Sequence, residues 1–186
     1  MNLKQPVVSE QFGNHRKQQL VEHVEACLEE QDRWRKFNAA YHEDDRKFMQ
    51  FLIPHGKRVL ELGCGRGDLL AALKTSYGVG IDFSAKTIVK ANARHPELNF
   101  VLGDVEDPGT LAGIEGPFDY IVIADTIGMF EDIDGTLRLV HHLCAPSTRI
   151  VISYYSHLWE PVLKLAELLH LRASSRKSTT SPPPIS

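Results

Sequence analysis

The chain has 186 residues, with 24 acidic side chains against 21 Lys and Arg, a formal net charge of −3 and a hydrophobic fraction of 42%. This length suits one globular domain, and the composition excludes a disordered or fibrous chain. The near balance of charge removes the electrostatic reason to expect nucleic acid or an anionic membrane surface as a partner. No apolar stretch approaches the roughly 18 residues that a membrane-spanning helix needs, and the three cysteines are widely spaced. These features favour a cytoplasmic protein without disulfides.

The N-terminal part predicts two helices. From His15 to Phe37, apolar residues recur at spacings of three and four among charged residues, which is the pattern of an amphipathic helix. A second helix is predicted over Glu43–Leu52, and Pro54 and Gly56 then interrupt the chain. Residues 1–53 are therefore expected to form an N-terminal helical lid segment.

Residues 54–171 alternate short β-branched runs with helical segments, as in βαβ units on a parallel sheet. Five strands are predicted, at Arg58–Leu62, Gly78–Asp82, Asn99–Gly103, Tyr120–Ala124 and Arg149–Ser153. Helices are predicted at Asp68–Ser76, Ala85–His95 with Ser84 as N-cap, Ile133–Leu143 and His157–Leu171. The connection 105–117 should be mostly loop with at most a short helix. Residues 172–186 are rich in Ser, Thr and Pro and are expected to form a disordered tail.

The most informative stretch runs from Glu61 to Gly67, where a strand opens into the glycines G-x-G-x-G and then into a helix. Such glycines permit a tight turn and let a ligand approach bare backbone. The third glycine comes one residue earlier than in the dinucleotide fingerprint, and Glu61 suits a cationic or amino-bearing ligand better than a diphosphate. Asp82 ends the next strand about 20 residues after the first glycine, where a carboxylate accepts ribose hydroxyls in sheets of this kind. A ligand that contains a nucleoside is indicated.

From about Tyr41 to Leu171 the chain resembles the class I S-adenosylmethionine-dependent methyltransferases. The resemblance implies an α/β fold, with a Rossmann-like doubly wound sheet of about five parallel strands in the order 3-2-1-4-5, and S-adenosylmethionine as cofactor. In that family the glycine loop and its acid hold the methionine moiety, and the acids after the second and third strands hold ribose and adenine. The end of the fourth strand borders cofactor and substrate. The implied cofactor-binding residues are Tyr41, Glu61, Gly63, Cys64, Gly65, Gly67, Asp82, Phe83, Asp104, Val105, Ala124 and Asp125.

Methyl transfer from a sulfonium depends mainly on positioning and on exclusion of water, so the sequence assigns no catalytic residue. A general base is needed only for a hydroxyl or a protonated amine, and the candidates are Asp125, His157, His42 and Tyr41. The expected acceptor is an unidentified small molecule. No metal site is expected, because the pair His141-His142 lacks a third ligand at metal spacing.

The resemblance also implies seven strands in the full fold, the last two forming a hairpin. No stretch after Arg172 can form two strands, so the chain is expected to be a truncated or frame-shifted relative. The fifth strand would then leave an open edge that favours self-association. Because the cofactor residues precede this break, a protein that binds the cofactor but is inactive is one alternative to an active enzyme. A nicotinamide-dependent reductase is another, which the glycine spacing and Glu61 disfavour.

Overall fold

The computed structural model describes residues 15–28 and 39–154, and the sheet in it has five strands. The strands are β1 Arg58–Leu62, β2 Tyr77–Asp82, β3 Asn99–Leu102, β4 Phe118–Ala124 and β5 Cys144–Ser153. They stand in the order β3-β2-β1-β4-β5, and every neighbouring pair is parallel. The predicted Rossmann-like sheet and its strand order are confirmed. Because all strands run in one direction, the loops that follow them meet at one edge of the sheet.

Helices precede and connect these strands. In the described ranges they are α1 His15–Ala26, α2 Ala39–Leu52, α3 Asp68–Ala72, α4 Ala85–Arg94, α5 Pro108–Ala112 and α6 Ile133–Val140. Two single 3-10 turns, Ile127–Met129 and His141–Leu143, complete the connections. The predicted N-cap is confirmed, since the Ser84 hydroxyl accepts a hydrogen bond from the backbone N–H of Thr87 at 3.2 Å.

Several boundaries differ from the prediction for local reasons. The third helix stops at Ala72 rather than Ser76, because Lys74 takes a left-handed backbone conformation with φ +50°. β5 begins at Cys144 rather than Arg149, and Thr148 supports its early part by donating to the carbonyl of Phe118 at 2.6 Å.

Other helix ends differ as well, and three predicted regions lie partly or wholly outside the described residues. The helix predicted to reach Leu143 ends at Val140 and continues as a 3-10 turn, and α1 ends at Ala26. Residues 29–38, the predicted helix after residue 156 and the predicted tail lie outside the described residues.

Side chains alternate across the sheet into two apolar layers. On one face Leu60, Leu62, Ile121 and Ile123 pack against α5 and α6, and on the other Val59 and Val122 pack against α2 and α3. Each fully buried aliphatic side chain of this kind stabilises the fold by about 1.5–3 kcal/mol. The two layers hold the central strands in register, so the loops at their carboxyl ends have a rigid base.

The amino end of β1 is fixed by Arg58. Its guanidinium carbon lies 4.4 Å from the centre of the Tyr77 ring and 5.6 Å from the centre of the Phe118 ring. The same group donates to the carbonyls of Pro117 at 2.9 Å and Glu115 at 3.0 Å. A single cation thereby joins β1, β2 and the start of β4 at the edge opposite to the glycine loop.

β5 lies at the border of the sheet and pairs with β4. Ile150 and Ile152 on this strand and Tyr154 directly after it are 43%, 46% and 57% exposed, so an apolar row faces outward. Among the described residues no strand pairs with its second edge. Self-association through this edge stays a prediction. Within the same ranges, no helix is long and apolar enough to cross a membrane.

Candidate functional site

A cavity of about 260 Å³ lies between the carboxyl ends of the strands and α1. One water molecule needs only about 10–15 Å³, so this space fits a small organic molecule. The loops after β1, β2, β3 and β4 form one side of the cavity, and α1 and part of α2 form the other. The parallel order of the sheet explains this arrangement, because it brings four strand ends together.

The glycine loop after β1 turns on three residues with positive φ: Gly63 at +78°, Gly65 at +52° and Gly67 at +74°. A Cβ on Gly63 would lie 2.4 Å from the Thr126 methyl carbon, and one on Gly67 would lie 2.3 Å from the tip of the Phe100 ring. A Cβ on Gly65 would meet no atom within 4 Å. The outer glycines are therefore required for packing, whereas Gly65 presents bare backbone to the cavity.

Asp82, at the end of β2, joins the glycine loop to the next loop. One of its carboxylate oxygens accepts from the backbone N–H of Gly65 and the other from that of Ser84, each at 2.9 Å. Its burial raises the pKa of the carboxyl group, and the two N–H groups act in the opposite direction. An ionised carboxylate accepts about four hydrogen bonds, so each oxygen keeps capacity for a ligand hydroxyl.

Glu61 and Cys64 lie on either side of the first loop glycine and line the same cavity. Glu61 is only 3% exposed, at the end of β1. Burial raises the pKa of the Cys64 thiol well above its ordinary value, and the charges of Glu61 and Asp82 add to this effect. The thiol is therefore protonated at neutral pH, which fits a packing role against Gly80 and no nucleophilic role.

The loop after β3 carries an ion pair to α1. Lys17 contacts the carboxylate of Asp104 and lies 2.8 Å from Glu106. Burial alone would lower the pKa of Lys17, but its hydrogen bonds and charge interactions with the two acids raise it. Asp104 also accepts from the backbone N–H of Glu106 at 2.9 Å. Lys17 is thus held as a cation in the cavity wall.

Asp125, directly after β4, adopts a left-handed backbone conformation with φ +56°. Such a conformation is uncommon outside glycine, although Asp tolerates it better than most residues. Its backbone N–H donates to the carbonyl of Ser153 at 3.1 Å, and Thr126 next to it donates to the carbonyl of Leu62 at 2.9 Å. The end of β4 is thereby fixed to β5 and β1, with Asp125 on the cavity wall.

Most of the residues predicted to bind a cofactor come together here. The cavity is lined by Glu61, Gly63, Cys64, Gly65, Asp82, Phe83, Asp104, Val105, Ala124 and Asp125. Gly67 does not line the cavity. It precedes the first residue of α3 and packs against Phe100 of β3. Tyr41 belongs to α2, but its side chain lies outside the described residues, as do the side chain of His42 and all of His157.

The opposite side of the cavity is largely apolar. Leu20, Val21, Val24 and Leu28 of the α1 region line it, as do Met129 and Phe130 beyond β4. The sequence predicted a helical lid segment with an apolar stripe on its first helix, but not which loops that stripe covers. Lys17 and Glu106 were missed because a charged residue in a helix or loop normally indicates a solvated surface.

Comparison with known proteins identifies the family. A family model described as a methyltransferase domain matches residues 20–180. The chain belongs to the methyltransferase domain family. This confirms the family predicted from the sequence, the S-adenosylmethionine-dependent methyltransferases.

Curated relatives share part of this methyltransferase domain. Norajmaline N-methyltransferase from Rauvolfia serpentina is 30% identical over 110 residues, which are 54% of this chain and 37% of that protein. The 2-phytyl-1,4-naphtoquinone methyltransferase of Thermosynechococcus vestitus is 32% identical over 115 residues, 56% of this chain and 49% of that protein. The chain thus spans less than half the length of these two relatives.

Solved structures share the same fold. A TehB-like SAM-dependent methyltransferase from Corynebacterium glutamicum is 26% identical and superposes with a TM-score of 0.58, covering 77% of this chain and 82% of that one. A SAM-dependent methyltransferase from Thermotoga maritima is 20% identical with a TM-score of 0.63, covering 78% and 68% of the two chains. The second likeness concerns the fold alone.

Proposed function

We propose that this chain binds S-adenosylmethionine in the cavity and transfers its methyl group to a small-molecule acceptor. The observation that supports this is the convergence of four acids from four strand ends, Glu61, Asp82, Asp104 and Asp125, around the bare backbone of Gly65. Besides the carboxylate of its methionine moiety, the cofactor offers an ammonium group, a sulfonium, two ribose hydroxyls and an adenine amino group, and these four kinds of group are cations or hydrogen-bond donors. Carboxylates are acceptors only, so the charge and hydrogen-bonding chemistry of the two sides match.

Each acid has a separate part in this proposal. Glu61 would face the amino end of the methionine moiety beside the glycine loop. Asp82 would accept the ribose hydroxyls with the capacity left after its two backbone hydrogen bonds. Asp104 would accept the adenine amino group, and Phe83 would contact the ring. When bound, the cofactor supplies an activated methyl carbon and a sulfur that leaves as a neutral thioether.

The chain's own contribution to the reaction is positioning and the exclusion of water. The apolar stripe of α1 covers the cavity, and Met129 and Phe130 extend an apolar wall beyond Asp125. An acceptor placed beside that wall would be shielded from solvent. Asp125 is the candidate general base whose side chain the structure describes, and it lines the cavity. It could accept a proton there if the acceptor is a hydroxyl or an ammonium.

A small-molecule acceptor in a reducing cytoplasm fits what is known of the chain. The relatives are named for norajmaline and for 2-phytyl-1,4-naphtoquinone, both small molecules. The near-neutral charge gives no electrostatic attraction to a polyanion. The three cysteines are free, as expected in a reducing compartment.

The proposal is tested by calorimetric titration with S-adenosylhomocysteine and, separately, with NADH. We expect 1:1 binding of the first and none of the second. Asp82→Asn should weaken S-adenosylhomocysteine binding about ten- to a hundredfold, since hydrogen bonds to a charged group contribute about 1.5–3 kcal/mol. Asp134→Asn is the matched control, because this exposed acid pairs with Arg138 away from the cavity and should leave binding unchanged. Binding of NADH instead would favour a reductase.

Turnover is tested separately. Labelled methyl groups from S-adenosylmethionine should move into the small-molecule fraction of a cell extract when the chain is added. Binding without any transfer would support the alternative of a cofactor-binding but inactive protein.

A further inference from the structure

Lys17 lies on the same face of α1 as the apolar residues that cover the cavity. Leu20, Val21 and Val24 follow it at spacings of three, four and seven residues, so all four side chains project to one side of the helix. All four line the cavity. A cation within such an inward stripe is costly to bury unless acids meet it, and here two acids do.

The ion pair of Lys17 is better enclosed than the other charge contacts of the same helix. The side chains of Lys17, Asp104 and Glu106 are only 18%, 15% and 11% exposed. Neighbouring Arg16 is 61% exposed and lies 3.8 Å from Glu131. Since water screens an exposed pair, the contact of Lys17 contributes much more than that of Arg16 to holding the helix.

Glu106 is a fixed anchor for this contact. One of its carboxylate oxygens accepts from the backbone N–H groups of Glu131 at 2.9 Å and Asp132 at 2.7 Å. The other faces Lys17. The acid therefore cannot follow the helix if α1 moves, and the ion pair with Lys17 breaks instead.

The far end of the helix region is held in a different way. Glu25 pairs with the Lys86 ammonium at 3.2 Å and accepts from the Ser84 hydroxyl at 3.2 Å. Arg66 in the glycine loop donates to the carbonyl of Leu28 at 2.9 Å. The segment from Lys17 to Leu28 thus runs from the loop after β3, past the loop after β2, to the loop after β1. These are the same loops that would hold adenine, ribose and the methionine moiety.

We propose that the ion pair of Lys17 with Asp104 and Glu106 is a latch that keeps α1 closed over the cavity, and that its opening sets the rate of cofactor exchange. This inference rests on the proposed function for the identity of the ligand. A molecule held along the three loops cannot leave while α1 covers it. Breaking the latch exposes the adenine end first, because Lys17 contacts the loop after β3.

The test is the dissociation rate of S-adenosylhomocysteine, measured by stopped-flow displacement with excess unlabelled ligand. Lys17→Met keeps the length and apolar contacts of the side chain but removes its charge, and should speed dissociation about tenfold, between the effects of exposed and fully buried pairs. Arg16→Gln removes the same charge from the neighbouring position and should leave the rate unchanged. Lys17→Arg should keep the slow rate.

Salt gives a readout that a purely structural role would not move. Raising the salt from about 0.05 M to about 0.5 M should speed dissociation from the wild type more than from Lys17→Met, which no longer has the charge to screen. Glu106→Gln is a second variant. Its amide oxygen can still accept the two backbone N–H groups, while the charge that meets Lys17 is gone, so it should also release ligand faster.

The outcomes separate the two proposals. If the wild type does not bind S-adenosylhomocysteine, the proposed function and the latch both fail. If binding is intact but the wild type, Lys17→Met, Glu106→Gln and Arg16→Gln all release ligand at one rate, the latch alone is overturned. Urea unfolding shows whether each variant is folded. If Lys17→Met does not fold, Glu106→Gln provides the same test.

Discussion

Alanine substitutions at Gly65 and Gly67 should separate ligand binding from folding within one loop. Both positions have positive φ, and an L residue there costs about 1–2 kcal/mol. At Gly67 the new methyl would also lie 2.3 Å from Phe100, a partly buried ring packed against the core, which adds about 1–3 kcal/mol of overpacking. We expect Gly67→Ala to lose about 2–5 kcal/mol of unfolding free energy and Gly65→Ala only about 1–2 kcal/mol.

Ligand affinity should follow the opposite order. The methyl of Gly65→Ala meets no protein atom within 4 Å, and Gly65 lines the cavity, so the methyl occupies space that a ligand would use. A bound cofactor would have to retreat from it, so S-adenosylhomocysteine affinity should fall at least about tenfold, which corresponds to about 1.4 kcal/mol. Urea denaturation measures the stability and calorimetry the affinity. Wild-type affinity in Gly65→Ala, with the loop conformation retained, would refute the assignment of this loop to the cofactor.

Three further predictions concern the rest of the fold. Arg58→Lys should lower the unfolding free energy by about 1–2 kcal/mol in urea denaturation, because an ammonium cannot both contact the rings of Tyr77 and Phe118 and donate to two carbonyls. An unchanged free energy of unfolding would show that these contacts of Arg58 do not stabilise the fold. Burial alone would raise the pKa of Glu106, but its hydrogen bonds from a lysine and two backbone N–H groups lower it. A lowered pKa stabilises the folded state above the unfolded-state pKa, so the stability difference between wild type and Glu106→Gln should be constant above about pH 5 and shrink as the pH falls further. A difference that grows on acidification would contradict this. Finally, Ile152→Lys, on the edge of β5 that no described strand pairs with, should reduce the particle mass seen by light scattering, whereas a wild type that is monomeric at high concentration would remove the expectation of self-association.

The sheet and the acids at its edge were predictable because their signals are local. The strands are short, mostly apolar runs, and the first four end in, or are followed directly by, a glycine or an acid. The order of elements and the candidate ligands at strand ends could therefore be read along the chain. Asp82 is an example, since a strand that ends in an acid needs no knowledge of distant residues. The N-cap at Ser84 followed from the same kind of local pattern, and the connection 105–117, expected to be mostly loop with at most a short helix, holds the short helix Pro108–Ala112.

The other wall of the cavity depends on tertiary contacts that no local pattern contains. The stripe on α1 predicted that some surface is covered, but the partner of that stripe is set by the packing of the helix across three loops. Lys17 shows the limit most clearly, because a lysine in an amphipathic helix normally faces water. The contact of Gly67 with Phe100 could not be predicted for a related reason. Its role depends on Phe100, more than 30 residues away, whose ring fills the space a side chain would need.

A crystal structure of the chain with S-adenosylhomocysteine would test the assignment of the cavity to this cofactor. We expect ligand density along the loops after β1, β2 and β3, with the ribose hydroxyls on Asp82, the amino acid end beside Gly65 and the adenine amino group toward Asp104. Density at another place, or a ribose that does not contact Asp82 in a well-occupied complex, would contradict it.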